Sequence, residues 1–139
     1  MNRHVFEQLR ASKEKSIKSV IKLKVTPRSS STYEARNILI DNPSGYTAFM
    51  TIRYNKDTEA KTINVSIDGI GPICRLDVDA QEHRPVGRNH KHDLKTSGCP
   101  NKNIPHAVAR TGLSGKTIEE IFEIFCGEAL IDHCGIEVV

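Results

Sequence analysis

The sequence predicts an α+β domain: a mostly antiparallel sheet of about five strands, with an N-terminal helix and a C-terminal amphipathic helix packed on one face. Three observations predict this class. The 139 residues suit one domain, so residues 1–139 are taken as a single domain. Residues 34–79 form short β-rich runs separated by turn residues, which is typical of an antiparallel meander. Residues 117–129 carry apolar side chains at steps of three and four, which indicates a helix that covers the sheet.

The N-terminal segment predicts a short helix followed by a strand. Val5, Phe6 and Leu9 have helical spacing, and apolar residues alternate with lysine over residues 21–25. Residues 27–32 contain a proline and then a run of serine and threonine. Proline has no backbone donor, and hydroxyl side chains compete for backbone hydrogen bonds. This stretch therefore predicts a loop.

Further strands are predicted from runs in which apolar residues recur at every second position. Such a run has one apolar face and one polar face. Turn-forming residues separate the runs, as at residues 41–45 and 55–57. The runs are residues 36–40, 46–54, 63–67 and 73–78.

The C-terminal helix, predicted near residues 116–130, has a clear start signal. Thr117 and Glu120 have the spacing of a capping box, in which each residue bonds the backbone of the other. Residues 135–139 predict a final strand at an edge of the sheet. The apolar stripe of the helix consists of Ile118, Ile121, Phe122, Phe125 and Ala129.

The small net charge of +3 conceals blocks of opposite sign. Residues 1–28 carry eight Lys/Arg against two Glu, and residues 83–110 carry six Lys/Arg against one Asp. Residues 29–82 and 111–139 are both acidic on balance. Two basic segments brought together by folding would attract phosphates, so the pattern predicts RNA or another nucleic acid as a partner.

The composition excludes several classes of protein. No apolar stretch approaches the ~20 residues that cross a bilayer, so no membrane partner is expected. The first ten residues are polar and charged, unlike a secretory signal. The four cysteines have irregular spacing, which favours reduced thiols and a cytoplasmic location.

Residues 83–106 are rich in side chains that suit phosphate chemistry, and they contain four of the six histidines. Histidine exchanges protons near neutral pH, while Arg and Lys neutralise a phosphate or a developing oxyanion. The candidate catalytic residues are His83, His90 and His92. The candidate phosphate-binding residues are Arg84, Arg88, Lys91 and Lys95.

Three site chemistries remain open for this segment. In the first, histidines act as general base and acid on RNA, with the 2′-hydroxyl as nucleophile and no cofactor. In the second, zinc binds His90, His92, Cys99 and His106, since neutral imidazole and thiolate suit this metal. In the third, the segment is a polar, basic loop that is solvated or contacts nucleic acid without chemistry. If residues 90–92 are extended, His90 and His92 lie on the same side of the chain.

Three short motifs in the middle of the chain carry a resemblance. They are Arg75-Leu76-Asp77, His83-Arg84 and His90-Lys91-His92. This part of the sequence resembles the central part of small uncharacterised prokaryotic domains, in which an Arg-Leu-Asp strand precedes a His-Arg and a His-x-His. The resemblance covers about twenty residues, and it implies a phage or mobile-element setting, where toxin–antitoxin and anti-defence proteins are common.

The leading expectation is a small cytosolic nucleic-acid-binding protein that acts as a metal-independent ribonuclease of toxin or phage type. The alternative is a non-enzymatic phage or mobile-element inhibitor that uses its basic surfaces on a protein partner, such as an antitoxin or a defence-system component. A second alternative is a zinc-binding protein that uses residues 83–106.

Overall fold

A computed structural model describes residues 3–78, 90–92, 108–109 and 113–139. The described part is α+β, which confirms the predicted class. Its helices are α1 (Arg3–Ala11) and α2 (Ile118–Ala129), and neither is long and apolar enough to cross a membrane. The strands are β1 (Lys15–Ser16), β2 (Ile21–Thr26), β3 (Ser29–Ile40), β4 (Ala48–Asn55), β5 (Lys61–Ile67), β6 (Gly71–Val78), β7 (His90–His92), β8 (Val108–Ala109), β9 (Ile131–Asp132) and β10 (Ile136–Val138).

Eight of these strands form one sheet, in the order β10-β2-β3-β4-β5-β6-β7-β8. The five predicted strands are its centre, β2 to β6, which pair as an antiparallel meander. The predicted C-terminal edge strand is β10, and it pairs with β2 in parallel. A small parallel pair, β1 with β9, connects the segment after α1 with the segment after α2.

The core lies between one face of the sheet and the described helices. In β5, Ile63, Val65 and Ile67 are buried and alternate with half-buried polar residues, as the two-residue period requires. These side chains share one core cluster with Phe122 and Phe125 of α2. The predicted apolar stripe therefore covers the sheet.

The predicted capping box starts α2. The Thr117 hydroxyl accepts a hydrogen bond of 3.1 Å from the backbone N–H of Glu120, and the Glu120 carboxylate accepts one of 3.1 Å from the N–H of Thr117. Leu130 ends the helix in the left-handed conformation, with φ 59°. The start of α2 is thus fixed by local sequence, whereas its end has a left-handed conformation that glycine adopts more easily than leucine.

The predicted loop over residues 27–32 is wrong. The chain reverses in a tight turn at residues 27–28, and β3 begins at Ser29, which pairs with Thr26 of β2. A proline in a tight turn needs no backbone donor there. The serine run then pairs as a strand, and the Ser31 hydroxyl bonds Asp57 beyond the end of β4. Long-range pairing thus overrides the local preference of serine.

Lys15 is a buried lysine at the junction of the N-terminal segment with the core. Its side chain is 7% exposed, and Nζ donates a hydrogen bond of 2.8 Å to the backbone oxygen of Arg10. Burial lowers the pKa of this ammonium to about 8. An unfolded lysine has a pKa of about 10.4, so folding disfavours the bound proton.

We expect the stability of the protein to rise with pH between about 8 and 10 because of Lys15. In this window the unfolded chain binds the proton more strongly than the folded chain, so each increase in pH favours folding. Lys15→Met should flatten the rise in urea-unfolding free energy measured at steps of pH. Lys13→Met, at an exposed lysine nearby, is the matched control. An equally steep rise in the Lys15→Met variant would contradict this assignment.

Candidate functional site

The candidate site is the face of the sheet opposite the core, called here the polar face. Directly opposed residues on neighbouring strands lie on the same face, so the strand register shows which side chains this face holds. Leu9 of α1 and the apolar stripe of α2 are buried in the core on the other side. One transverse row of register partners runs from β2 to β6 as Lys24, Glu34, Arg53, Thr62 and Asp77.

A second row lies beside the first and is also polar. It consists of Thr51, Asn64 and Arg75 on β4, β5 and β6. The Asn64 amide donates a hydrogen bond of 3.1 Å to the hydroxyl of Ser66, which lies one step further along the same face of β5. Hydroxyl, amide and guanidinium groups thus form a continuous hydrogen-bonding surface across the middle of the sheet.

Asp77 is the most buried charged group on the polar face, with 6% of the residue exposed. Its carboxylate accepts a hydrogen bond of 2.9 Å from the Thr62 hydroxyl and one of 2.9 Å from Nε of Arg75. The bond from Arg75 is also an ion pair, and charge-assisted bonds of this kind are stronger than neutral ones. The carboxylate is therefore held in a fixed orientation by two neighbouring strands.

The strand register places two of the predicted catalytic histidines on the strand that neighbours Asp77. β7 pairs antiparallel with β6 and places His90 opposite Asp77 and His92 opposite Arg75. Lys91, a predicted phosphate-binding residue, lies opposite Leu76. Residues 90–92 are extended, which meets the condition set by the sequence analysis.

The other predicted site residues lie outside the described residues. They are His83, Arg84, Arg88, Lys95, Cys99 and His106. The zinc hypothesis needs two of them, so it stays a prediction. Within the part of the chain that is described, no three His, Cys, Asp or Glu side chains form a group suited to a metal ion.

The two basic segments contribute strands to the same sheet. The N-terminal segment supplies β2, with Lys22 and Lys24, and the histidine-rich segment supplies β7. Five strand spacings separate β2 from β7, which is roughly 24 Å. Arg53 and Arg75 lie on the strands between them. The described cations Lys22, Lys24, Arg53 and Arg75 are therefore spread across the polar face from β2 to β6.

Glu34 reduces the positive charge of this face at one point. It pairs with Arg36 on its own strand and with Nε of Arg53 at 3.6 Å on β4. Arg36 and Arg53 are both exposed, and Arg36 bonds Glu34 through Nε and through Nη2, the latter at 3.3 Å. An anion can bind these guanidinium groups while Glu34 orients them.

The cysteines of the described part are free thiols: Cys74, Cys126 and Cys134. Cys126 is buried in the core, and burial raises the pKa of its thiol to about 12. A thiol with such a pKa is protonated at neutral pH and is a poor nucleophile. Its burial in the core indicates a packing role.

His133 also has a structural role. Its Nδ1 accepts a hydrogen bond of 2.9 Å from the N–H of Gly135, so Nε2 carries the ring proton in the neutral form. That nitrogen lies 3.2 Å from a carboxylate oxygen of Glu123 on α2. The ring also packs edge-on against Phe122. These contacts tie the start of β10 to α2.

The sequence analysis did not assign Arg53, Thr62 or Asp77 to a site. The sequence does indicate which face of the sheet these residues occupy. Polar and apolar residues alternate along β5 and β6, and the polar positions are the ones that face away from the core. The residues that oppose one another depend on the register, which local sequence does not specify. Comparison of the chain with protein-family models, curated proteins and solved structures returned no match.

Proposed function

We propose that this protein is a ribonuclease that binds RNA across the polar face and cleaves it where β6 meets β7. The observation that supports this most directly is the register of these two strands. It sets His90 opposite the fixed carboxylate of Asp77, and His92 opposite the guanidinium-bearing Arg75. A base, an acid and a phosphate-binding cation are the groups that metal-independent RNA cleavage requires.

In the proposed reaction His90 removes the proton from a ribose 2′-hydroxyl, and the resulting oxygen attacks the adjacent phosphorus. The bond from phosphorus to the 5′ oxygen breaks, and His92 supplies the proton that the leaving oxygen takes up. The products are a 2′,3′-cyclic phosphate and a 5′-hydroxyl. The two histidines are two residues apart on a strand, about 6.6 Å between Cα atoms, which suits groups on either side of one phosphate.

Asp77 and Arg75 support this chemistry in different ways. The carboxylate of Asp77 accepts the ring N–H of His90, which selects the tautomer that acts as a base and stabilises the imidazolium. Arg75 binds a non-bridging oxygen of the phosphate and stabilises the charge that develops there. Its Nε donates a hydrogen bond to Asp77, which holds the guanidinium at the edge of the proposed cleavage site.

The remaining polar face supports binding. Arg53 provides charge for phosphates next to the cleaved one, and contacts with phosphates are the main source of affinity for nucleic acid. Thr51 and Asn64 provide donors and acceptors between them, suited to the 2′-hydroxyl groups that distinguish RNA from DNA.

The test is RNA cleavage by purified protein carrying His90→Ala or His92→Ala. We expect each variant to lose roughly 10²- to 10⁴-fold in cleavage rate while its melting temperature stays near that of the wild type. His4→Ala, at an exposed histidine of α1, is the control and should cleave normally. Wild-type activity in both site variants would contradict the proposal. Activity that a chelator abolishes and zinc restores would replace it with the zinc hypothesis.

A second candidate function is RNA binding without cleavage. It is favoured by Lys22 and Lys24, which lie on β2, five strand spacings away from β7. Neither lysine forms an ion pair within the described residues. In that case the wild type slows the migration of RNA in a gel-shift assay, and no cleavage product appears with any nucleic acid.

A further inference from the structure

The strands β2 and β3 separate along part of their length and leave a groove between them. They pair only where Lys24–Thr26 of β2 meets Ser29–Glu34 of β3. Before Lys24, β2 pairs only with β10, on its other edge. After Glu34, β3 pairs only with β4, on its other edge. The resulting groove has a volume of about 650 Å³.

A β-bulge in β3 shapes this groove. Ala35 pairs with Ile52 and Ile38 pairs with Met50, so Arg36 and Asn37 together oppose one residue of β4. Asn37 is in the left-handed region, with φ 55°, a conformation that asparagine tolerates better than most residues. A bulge bends its strand and redirects a side chain, and here it brings Arg36 to the groove wall.

The groove is lined by more cations than anions. Lys18, Lys22 and Lys24 are exposed, and none of them forms an ion pair within the described part of the chain. Of the two carboxylates in the lining, Glu34 is already shared by two arginines, which leaves Asp41. Three lysine ammonium groups are therefore available to an anionic ligand.

Apolar side chains complete the lining. Val20 is 42% exposed and Leu39 is 53% exposed, and both border the groove. A simple inorganic anion gains nothing from them. A ligand that combines phosphates with flat apolar rings matches both parts of the lining, because the rings bury apolar surface while the phosphates meet the lysines.

We propose that this groove is a binding site for single-stranded nucleic acid outside the cleavage site, with phosphates on the three lysines and a base against Val20 and Leu39. The assignment to RNA rests on the proposed function. The groove lies about four strand spacings from β7, roughly 20 Å, so one strand of RNA that occupies both sites must cross the polar face. A short substrate reaches only the cleavage site, and a longer one reaches both.

The test compares Lys22→Gln/Lys24→Gln with Lys13→Gln/Lys56→Gln, which removes the same charge from exposed lysines outside the groove. The probe is a fluorescent 2′-O-methyl oligonucleotide of about 12 nucleotides, within the usual range for single-strand sites. It lacks the nucleophile and cannot be cleaved. We expect the groove variant to bind about ten-fold more weakly by fluorescence anisotropy. The plot of log affinity against log salt should become less steep by about 1.4, or 0.7 for each lost phosphate contact.

The outcomes separate the groove from the catalytic proposal. If the groove variant and the lysine control bind equally, the groove is not a nucleic-acid site, whether or not the wild type cleaves RNA. If the groove variant binds weakly and the wild type has no ribonuclease activity, the groove stands and the catalytic proposal fails. If the wild type does not bind the probe at low salt, the groove proposal is wrong. With a cleavable substrate, the groove variant should raise KM for the 12-mer and leave KM for a dinucleotide unchanged.

Discussion

Replacing Asp77 with Asn is expected to reduce the rate of RNA cleavage by roughly 10²- to 10⁴-fold. The amide keeps the size of the carboxylate but loses the ion pair with Arg75 and no longer stabilises an imidazolium on β7. It also offers an N–H where His90 requires an acceptor, which favours the wrong tautomer. In the proposed mechanism Asp77 is therefore a positioning residue that acts through His90.

This effect can be separated from simple loss of structure. The acidic limb of the pH profile of kcat/KM should move toward lower pH in Asp77→Asn, because an imidazole without a neighbouring carboxylate loses its proton more easily. Thr62→Val removes one hydrogen bond to the carboxylate but keeps its charge, so it should reduce the rate far less. An unchanged kcat in Asp77→Asn, measured at saturating RNA, would contradict the role given to Asp77.

Phe125→Ala is expected to lower the free energy of unfolding by about 3–5 kcal/mol. Phe125 is 1% exposed and lies in the stripe by which α2 covers the sheet, so truncation leaves a cavity in the only core cluster of the described residues. Native domains are stable by about 5–15 kcal/mol, so this loss is a large share of the total.

Urea unfolding followed by circular dichroism measures this loss. Glu119→Ala, on the exposed side of the same helix, is the control and should change stability by less than about 0.5 kcal/mol. A loss below about 1 kcal/mol for Phe125→Ala would mean that α2 does not cover the core of the sheet.

The elements that the sequence predicts well have strong local signals. The capping box at Thr117 and Glu120 fixes the start of α2, and the structure shows both of its hydrogen bonds. The alternation of Ile63, Val65 and Ile67 fixes which face of β5 is buried. These signals operate within a few residues, so they can be read without knowledge of the fold.

The features that the sequence does not reveal depend on contacts between distant residues. The start of β3 at Ser29 depends on pairing with β2 across a two-residue turn. The position of His90 opposite Asp77 depends on the register of β6 and β7, and a slip by one residue would place Leu76 there instead. The groove depends on a bulge at Arg36 that redirects β3, and the local composition gives no sign of it.

The most direct test of the proposed activity is cleavage of two oligonucleotides by the wild-type protein in the absence of added metal. One is all RNA, and the other is identical except for 2′-deoxy sugars at every position. We expect the RNA alone to be cleaved, with products that end in a 2′,3′-cyclic phosphate by mass spectrometry. Cleavage of both oligonucleotides, or RNA products without the cyclic phosphate, would contradict attack by the 2′-hydroxyl and the roles proposed for His90 and His92.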